Sequence, residues 1–92
     1  MIRSFADRET EHLFFTGKSR RFSGILTVAR HKLQVLDNTP HLDDLRQPHG
    51  NRLEPLRGDR KGQHSIRIND QYRICFRWQE GDAHEVEIVD YH

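Results

Sequence analysis

Apolar residues recur every three or four positions in the first half of the chain and alternate with polar ones in the second. Phe22, Ile25, Leu26, Ala29, Leu33 and Leu36 form a stripe at helical spacing. That stripe predicts an amphipathic helix ending near Asp37–Asn38, because Pro40 cannot continue it. Upstream, Asp7 can cap a first helix running to about Thr16, and Gly17 suits the residue just past its end. Ile2–Phe5 is a short strand candidate. Thr39-Pro40 can start a turn carrying Leu42 and Leu45, and Gln47–Asn51 has the composition of a loop.

From Arg52 onward the period is two. Pro55 argues for an edge strand or a bulge in the first of these segments, and Gly58–Gly62 reads as a turn. Ile66 and Ile68, then Tyr72, Ile74, Phe76 and Trp78, then Val86 and Ile88 all share even parity. Three successive strands should therefore turn even-numbered residues toward a core and odd-numbered ones away from it. The expected fold is α+β: an N-terminal strand and two main helices packed on one face of an antiparallel sheet, as a single domain over residues 1–92.

The parity also sets the register. Keeping both apolar sets on one face pairs Ile68 with Tyr72 and Ile66 with Ile74, around a three-residue loop Asn69-Asp70-Gln71. Arg67 then faces Arg73 on the other side of the sheet, a like-charge pair that opposes strand pairing unless an anion sits between the two. The next hairpin brings Val89 or Tyr91 beside Arg73, and Glu85 or Glu87 beside Arg77. Arg67, Arg73, Arg77 and Tyr91 should thus share the polar face, unless a β-bulge intervenes.

Charge sharpens this picture. The formal net charge is only +1, but it is unevenly spread. Residues 46–77 hold eight Arg or Lys against three Asp or Glu, and residues 78–92 hold five acids and no Arg or Lys. A cationic middle beside an anionic last strand can make a local anion site for a phosphate backbone; alternatively, the two blocks neutralise each other across adjacent strands. Hydrophobic residues make up 34% and charged residues 32% of the 92, enough for one modest core. No 18-residue apolar run suggests a membrane span, and the N-terminus lacks the apolar region of a secretory signal. The single cysteine, Cys75, excludes an internal disulfide framework, fits a reducing cytoplasm and has no marked catalytic partner. The histidines are scattered and no HExxH motif occurs, so neither a metal nor another cofactor is expected. His64 lies on the core parity at a strand end and reads as structural or as a catalytic candidate.

Several short motifs carry a family resemblance: Leu56-Arg57-Gly58-Asp59-Arg60, Gly62 with Ser65-Ile66-Arg67, Tyr72-Arg73-Ile74, Gly81-Asp82-Ala83 and the terminal Asp90-Tyr91-His92. Together with the opening Met1–Phe5, in this order and in a chain of this length, they resemble the HigB-type toxins of the RelE/ParE superfamily. The resemblance implies a RelE-like fold and an mRNA-cleaving toxin that acts in the ribosomal A site. It implies a HigA-like helix-turn-helix antitoxin as partner, and operator DNA contacted through the antitoxin complex. Family members use a basic residue at the position of Arg57, the arginine at Arg73, and the terminal Asp90, Tyr91 and His92. Some also use a histidine where this chain has Glu54, which cannot supply a cation. ParE-like members of the superfamily instead inhibit DNA gyrase and cleave no RNA, which is the alternative reading.

The chemistry expected is attack by a ribose 2′-OH on the adjacent phosphate. It needs a base, cations for the developing charge and an acid for the leaving oxygen. Arg73 and Arg57 match phosphate oxygens with their guanidinium forks, while Arg60, Lys61 and Arg67 are candidate RNA contacts. His92 is the candidate for proton transfer near neutral pH. Asp90 or Glu54 can serve as base or orient His92, and Tyr91 can hold the phosphate or the base.

Overall fold

A computed structural model describes residues 1–90. Asp7 starts helix α1 (Arg8–Thr16): its carboxylate accepts the Thr10 amide at 2.7 Å, satisfying one of the free donors of the first turn. Gly17 ends it in the left-handed conformation at φ 75°, where the absence of a Cβ removes the steric cost. Helix α2 (Leu26–Asn38) ends where the proline was expected to end it, but begins later than the apolar stripe. Phe22 and Ile25 are buried with the stripe, yet Ser23–Ile25 form a 3-10 turn. Gly24 weakens a regular helix there, and Ile25, at φ −132°, ψ 17°, breaks the helical path. Leu42–Arg46 and His49–Asn51 are further 3-10 turns.

Four antiparallel strands follow, β1 (Glu54–Pro55), β2 (His64–Arg67), β3 (Tyr72–Gln79) and β4 (Asp82–Asp90), in the sheet order β1-β2-β3-β4. Pro55 lies on an edge strand, the place where a missing N–H costs least. Ile66 pairs with Ile74 and Arg67 with Arg73, the register that the alternation requires. Leu13 of α1 and Ala29, Leu33 and Leu36 of α2 bury against Ile66, Ile74, Phe76, Val86 and Ile88, so the helices cover the even face.

Two expectations need correction. Ile2–Phe5 is not a strand. It makes two isolated parallel bridges to β4, Ile2 with Ala83 and Phe5 with Val86. Between them the Glu85 amide, in a residue at φ 53°, turns to the Ser4 side chain at 2.9 Å. This segment still occupies the outer edge of β4, and the Thr10 hydroxyl completes the cover by accepting the Ile88 amide at 3.0 Å. An open edge that could template strand addition is thereby closed.

The second correction concerns parity. A bulge between Cys75 and Arg77 shifts β4 by one residue, so Arg77 pairs with His84 and Trp78 with Ala83. Ala83, an odd position, is therefore buried in the core. Nor do the odd positions of β2 and β3 all point to water: Ser65, Arg73 and Cys75 are buried too. The opposite face of the sheet is covered at its centre, and this cover makes the site.

Candidate functional site

Cross-strand pairing lays out the second face in rows. Glu54, Ser65, Cys75 and Glu87 form one row across all four strands. Arg67, Arg73 and Val89 form the next. Arg60, from the 3-10 turn Gly58–Arg60, reaches over the first row to Glu87 at 2.7 Å and also bonds Gln63. Cys75 lies below that bridge, and burial pushes its thiol up from the ordinary range, against the partial pull of Arg60 and Arg73. A buried, protonated thiol is a poor nucleophile.

Arg73 is the centre of the arrangement. Its side chain is only 10% exposed. Its Nε donates to Ser65 Oγ at 2.8 Å, and Nη2 donates to the Arg52 carbonyl at 2.7 Å. Nη2 also meets Glu54 Oε1 at 3.2 Å. The rigid guanidinium plane is thus held at Nε and Nη2, and Nη2 serves both the Arg52 carbonyl and the half-exposed Glu54. Arg52 can offer its carbonyl because it adopts the left-handed conformation, φ 45°, at the end of the His49–Asn51 turn. Beyond Glu54 lies a shallow cleft lined by Glu54, Pro55, Leu56 and Arg57. Arg57 lines it from one end of the 3-10 turn, and Lys61 is exposed at the other end of that turn.

The other candidates are distributed around this centre. Arg67 lies across from Arg73 and bonds Asp70 in the hairpin loop. Arg77 lies past the bulge, with Nε 2.6 Å from Glu85 Oε2. It packs against Gly62, where a Cβ would come within 2.8 Å of Nη1. Arg60, Arg67, Arg73 and Arg77 therefore each carry an acidic partner supplied by the protein itself. Asp90 pairs with Tyr72 in the sheet and accepts from Gln71 at 3.1 Å, which puts it on the strand face opposite to Arg73 by alternation. Tyr91 and His92 lie outside the described residues. His64 stacks on Phe76 with ring centroids 6.3 Å apart, away from Arg73.

Pattern reading missed Ser65, Arg52 and the pair Lys32–Asn51. Ser65 shares the parity of Arg67, and that was a usable signal. The Arg52 carbonyl carried none. Asn51 is fully buried and holds the loop: its amide donates to the carbonyls of Leu45 and Gln47 at 3.2 and 3.1 Å, and its oxygen accepts from Lys32. Burial, with Arg67 nearby, lowers the pKa of that lysine. Among the described residues no group of three or more His, Cys, Asp or Glu side chains could hold a metal ion, and no helix is long and apolar enough to cross a membrane.

Comparison with known proteins identifies the family. The chain is 41% identical over 85 residues to Toxin HigB-1 of Vibrio cholerae serotype O1, covering 90% of each chain. It is 34% identical over 97 aligned positions to Endoribonuclease HigB of Proteus vulgaris, covering the whole of both. Among solved structures, the YoeB–YefM complex from Staphylococcus aureus superposes with a TM-score of 0.62 at 13% identity, covering 100% of this chain and 98% of that one. A YafQ mutant from E. coli gives 0.62 at 11% identity, covering 98% and 93%. These distant likenesses bear on the fold, which is RelE-like. A family model for the RelE-like toxin HigB of type II toxin–antitoxin systems matches residues 3–92, and this chain belongs to that HigB-like toxin family, whose partner is an antitoxin.

Proposed function

We propose that this chain is a ribosome-dependent endoribonuclease that cleaves mRNA in the A site and so halts translation. In the cytoplasm a HigA-like helix-turn-helix antitoxin restrains it, and the complex contacts operator DNA through the antitoxin. The observation that carries the reading is Arg73: a nearly buried guanidinium, fixed by Ser65 and the Arg52 carbonyl, with the Glu54 carboxylate against its Nη2. A preorganised cation of this kind stabilises charge that develops on a phosphate without having to reorganise first. The relative named as an endoribonuclease supports the nuclease over the gyrase-inhibitor alternative.

In the proposed reaction the 2′-OH attacks the adjacent phosphorus. The O2′–P bond forms, the P–O5′ bond breaks, and the products carry a 2′,3′-cyclic phosphate and a 5′-OH. Arg73 takes the non-bridging oxygens, with Arg57 approaching from the cleft side. His92 takes the 2′-OH proton and returns it to the leaving O5′, Tyr91 steadies the phosphate, and Asp90 orients the terminus. Lys61 and Arg67 meet the flanking backbone. Arg60, held by Glu87, supports the turn that carries Arg57 and Lys61 and contributes its charge from there.

The test is induction of the chain without its antitoxin, followed by mapping of mRNA 5′-ends and pulse labelling. Translation should fail first, with new 5′-ends inside reading frames. Thymidine incorporation failing first over intact mRNA would sink the nuclease reading. On programmed ribosomes a folded His92→Gln protein should cut far more slowly than wild type, by about 100-fold or more if the imidazole transfers a proton.

A further inference from the structure

Glu54 and Arg73 are unequal partners. The Glu54 side chain is 51% exposed and stands on a two-residue edge strand. The Arg73 side chain is 10% exposed and has two further hydrogen bonds behind it. Their contact, 3.2 Å from Oε1 to Nη2, falls on the nitrogen that also donates to the Arg52 carbonyl. A phosphate oxygen approaching Arg73 from the side of Glu54 meets that same nitrogen. Carboxylate and phosphate are both anions with matching oxygen spacing for a guanidinium, and they cannot share the position.

We propose that Glu54 is an electrostatic latch: its carboxylate occupies the phosphate position on Arg73 in the free toxin and swings aside when the RNA backbone enters. The proposal rests on the nuclease reading and assigns Glu54 a gating role in place of proton transfer. The asymmetry of burial sets which partner moves. Breaking a half-exposed ion pair costs little, so a ribosome-ordered phosphate can displace it, whereas Arg73 stays where the chemistry needs it. A weakly bound, disordered RNA does not compensate for that loss and for the repulsion from a carboxylate at the mouth of the site. The latch thus favours RNA already held in place over RNA free in solution.

The test compares full-length wild type, Glu54→Gln and Glu54→Asp on ribosomes carrying an mRNA with a 2′-deoxynucleotide at the scissile position, which binds without being cut. Glutamine keeps the length and removes the charge; aspartate keeps the charge. Glu54→Gln should bind about 2- to 10-fold more tightly, the range expected for loss of an exposed ion pair and its repulsion, and Glu54→Asp should bind like wild type. In single-turnover cleavage of ordinary mRNA, Glu54→Gln should lower the half-saturating concentration without lowering the plateau rate. A plateau rate reduced by about 100-fold at unchanged affinity would assign Glu54 to proton transfer and overturn the latch. Unchanged affinity with an unchanged plateau would overturn it as well. Should wild type neither bind nor cut, the nuclease reading fails, and the latch is then read from the Arg73 Nε–H resonance titrated with inorganic phosphate. Tighter phosphate binding in Glu54→Gln supports the latch, and equal binding refutes it.

Discussion

Arg73 gathers more of the candidate site than any other residue, and its surroundings predict how substitutions behave. Arg73→Lys keeps a charge but cannot hold Ser65 and the Arg52 carbonyl at once from a planar fork. It should remain folded and lose roughly 30- to 1000-fold in cleavage rate on programmed ribosomes, as expected for one lost transition-state contact. A folded Arg73→Lys protein with wild-type rates would remove Arg73 from the mechanism. Asn51→Ala should act on stability instead. It strips the Leu45 and Gln47 carbonyls of their donor and Lys32 of its acceptor in a fully buried position. A loss of about 2–4 kcal/mol in denaturant unfolding is expected. The sequence singled out Arg73 because its parity opposes the core. It could not single out Asn51, since an asparagine in a loop reads as turn chemistry until its partners are known.

At the scale of elements, local sequence fixed ends better than partners. Asp7, Gly17 and Pro40 bound the helices because capping and the missing proline N–H act within a few residues. Gly17→Ala offers a direct check. Its φ of 75° strains any residue with a Cβ, and that Cβ would lie 2.9 Å from Arg30 Nη1. Arg30 would have to release the Phe14 and Phe15 carbonyls that tie α1 to α2. Thermal melts should show a loss of about 1–3 kcal/mol, and no loss would mean the helix end rearranges freely. The start of α2 was misjudged because burial continues through Phe22 and Ile25 while the helical backbone does not. Periodicity reports which residues are apolar on one side, and a 3-10 turn preserves that side.

For the whole molecule, the N-terminal segment and the last hairpin are clamped together. Asp82 accepts from Arg3 at 3.0 Å and pairs with the Met1 amine at 3.2 Å. The hydrogen bond from Arg3, aided by the amine, holds the Asp82 carboxyl below the usual carboxylate range. A carboxyl whose folded pKa is depressed adds stability that is fully present above its unfolded pKa and is lost as pH falls through the folded one. Asp82→Asn should therefore melt below wild type at neutral pH. The gap should narrow as pH falls below about 4, the ordinary aspartate value. It should also shrink in high salt, because the Arg3 side chain and the Met1 amine are exposed. A gap independent of pH between neutrality and strong acid would show that the clamp is not electrostatic.

The sequence by itself determined the helix limits at Asp7, Gly17 and Asn38 and the pairing of Arg67 with Arg73, and narrowed Pro55 to an edge strand or a bulge. Each depends on a cap, a missing donor or a two-residue period, and these act over a few bonds or one strand spacing. Tertiary structure decided the rest. The bulge opposite Cys75–Arg77 moved Ala83 into the core. The expected N-terminal strand became a cover for the edge of β4. Above all, each of the two facing arginines carries a carboxylate of the chain itself, Glu54 on Arg73 and Asp70 on Arg67. Charge counting showed that acids were available but not where they would lie. An ion pair forms through space, between side chains that only the folded path of the backbone brings within reach.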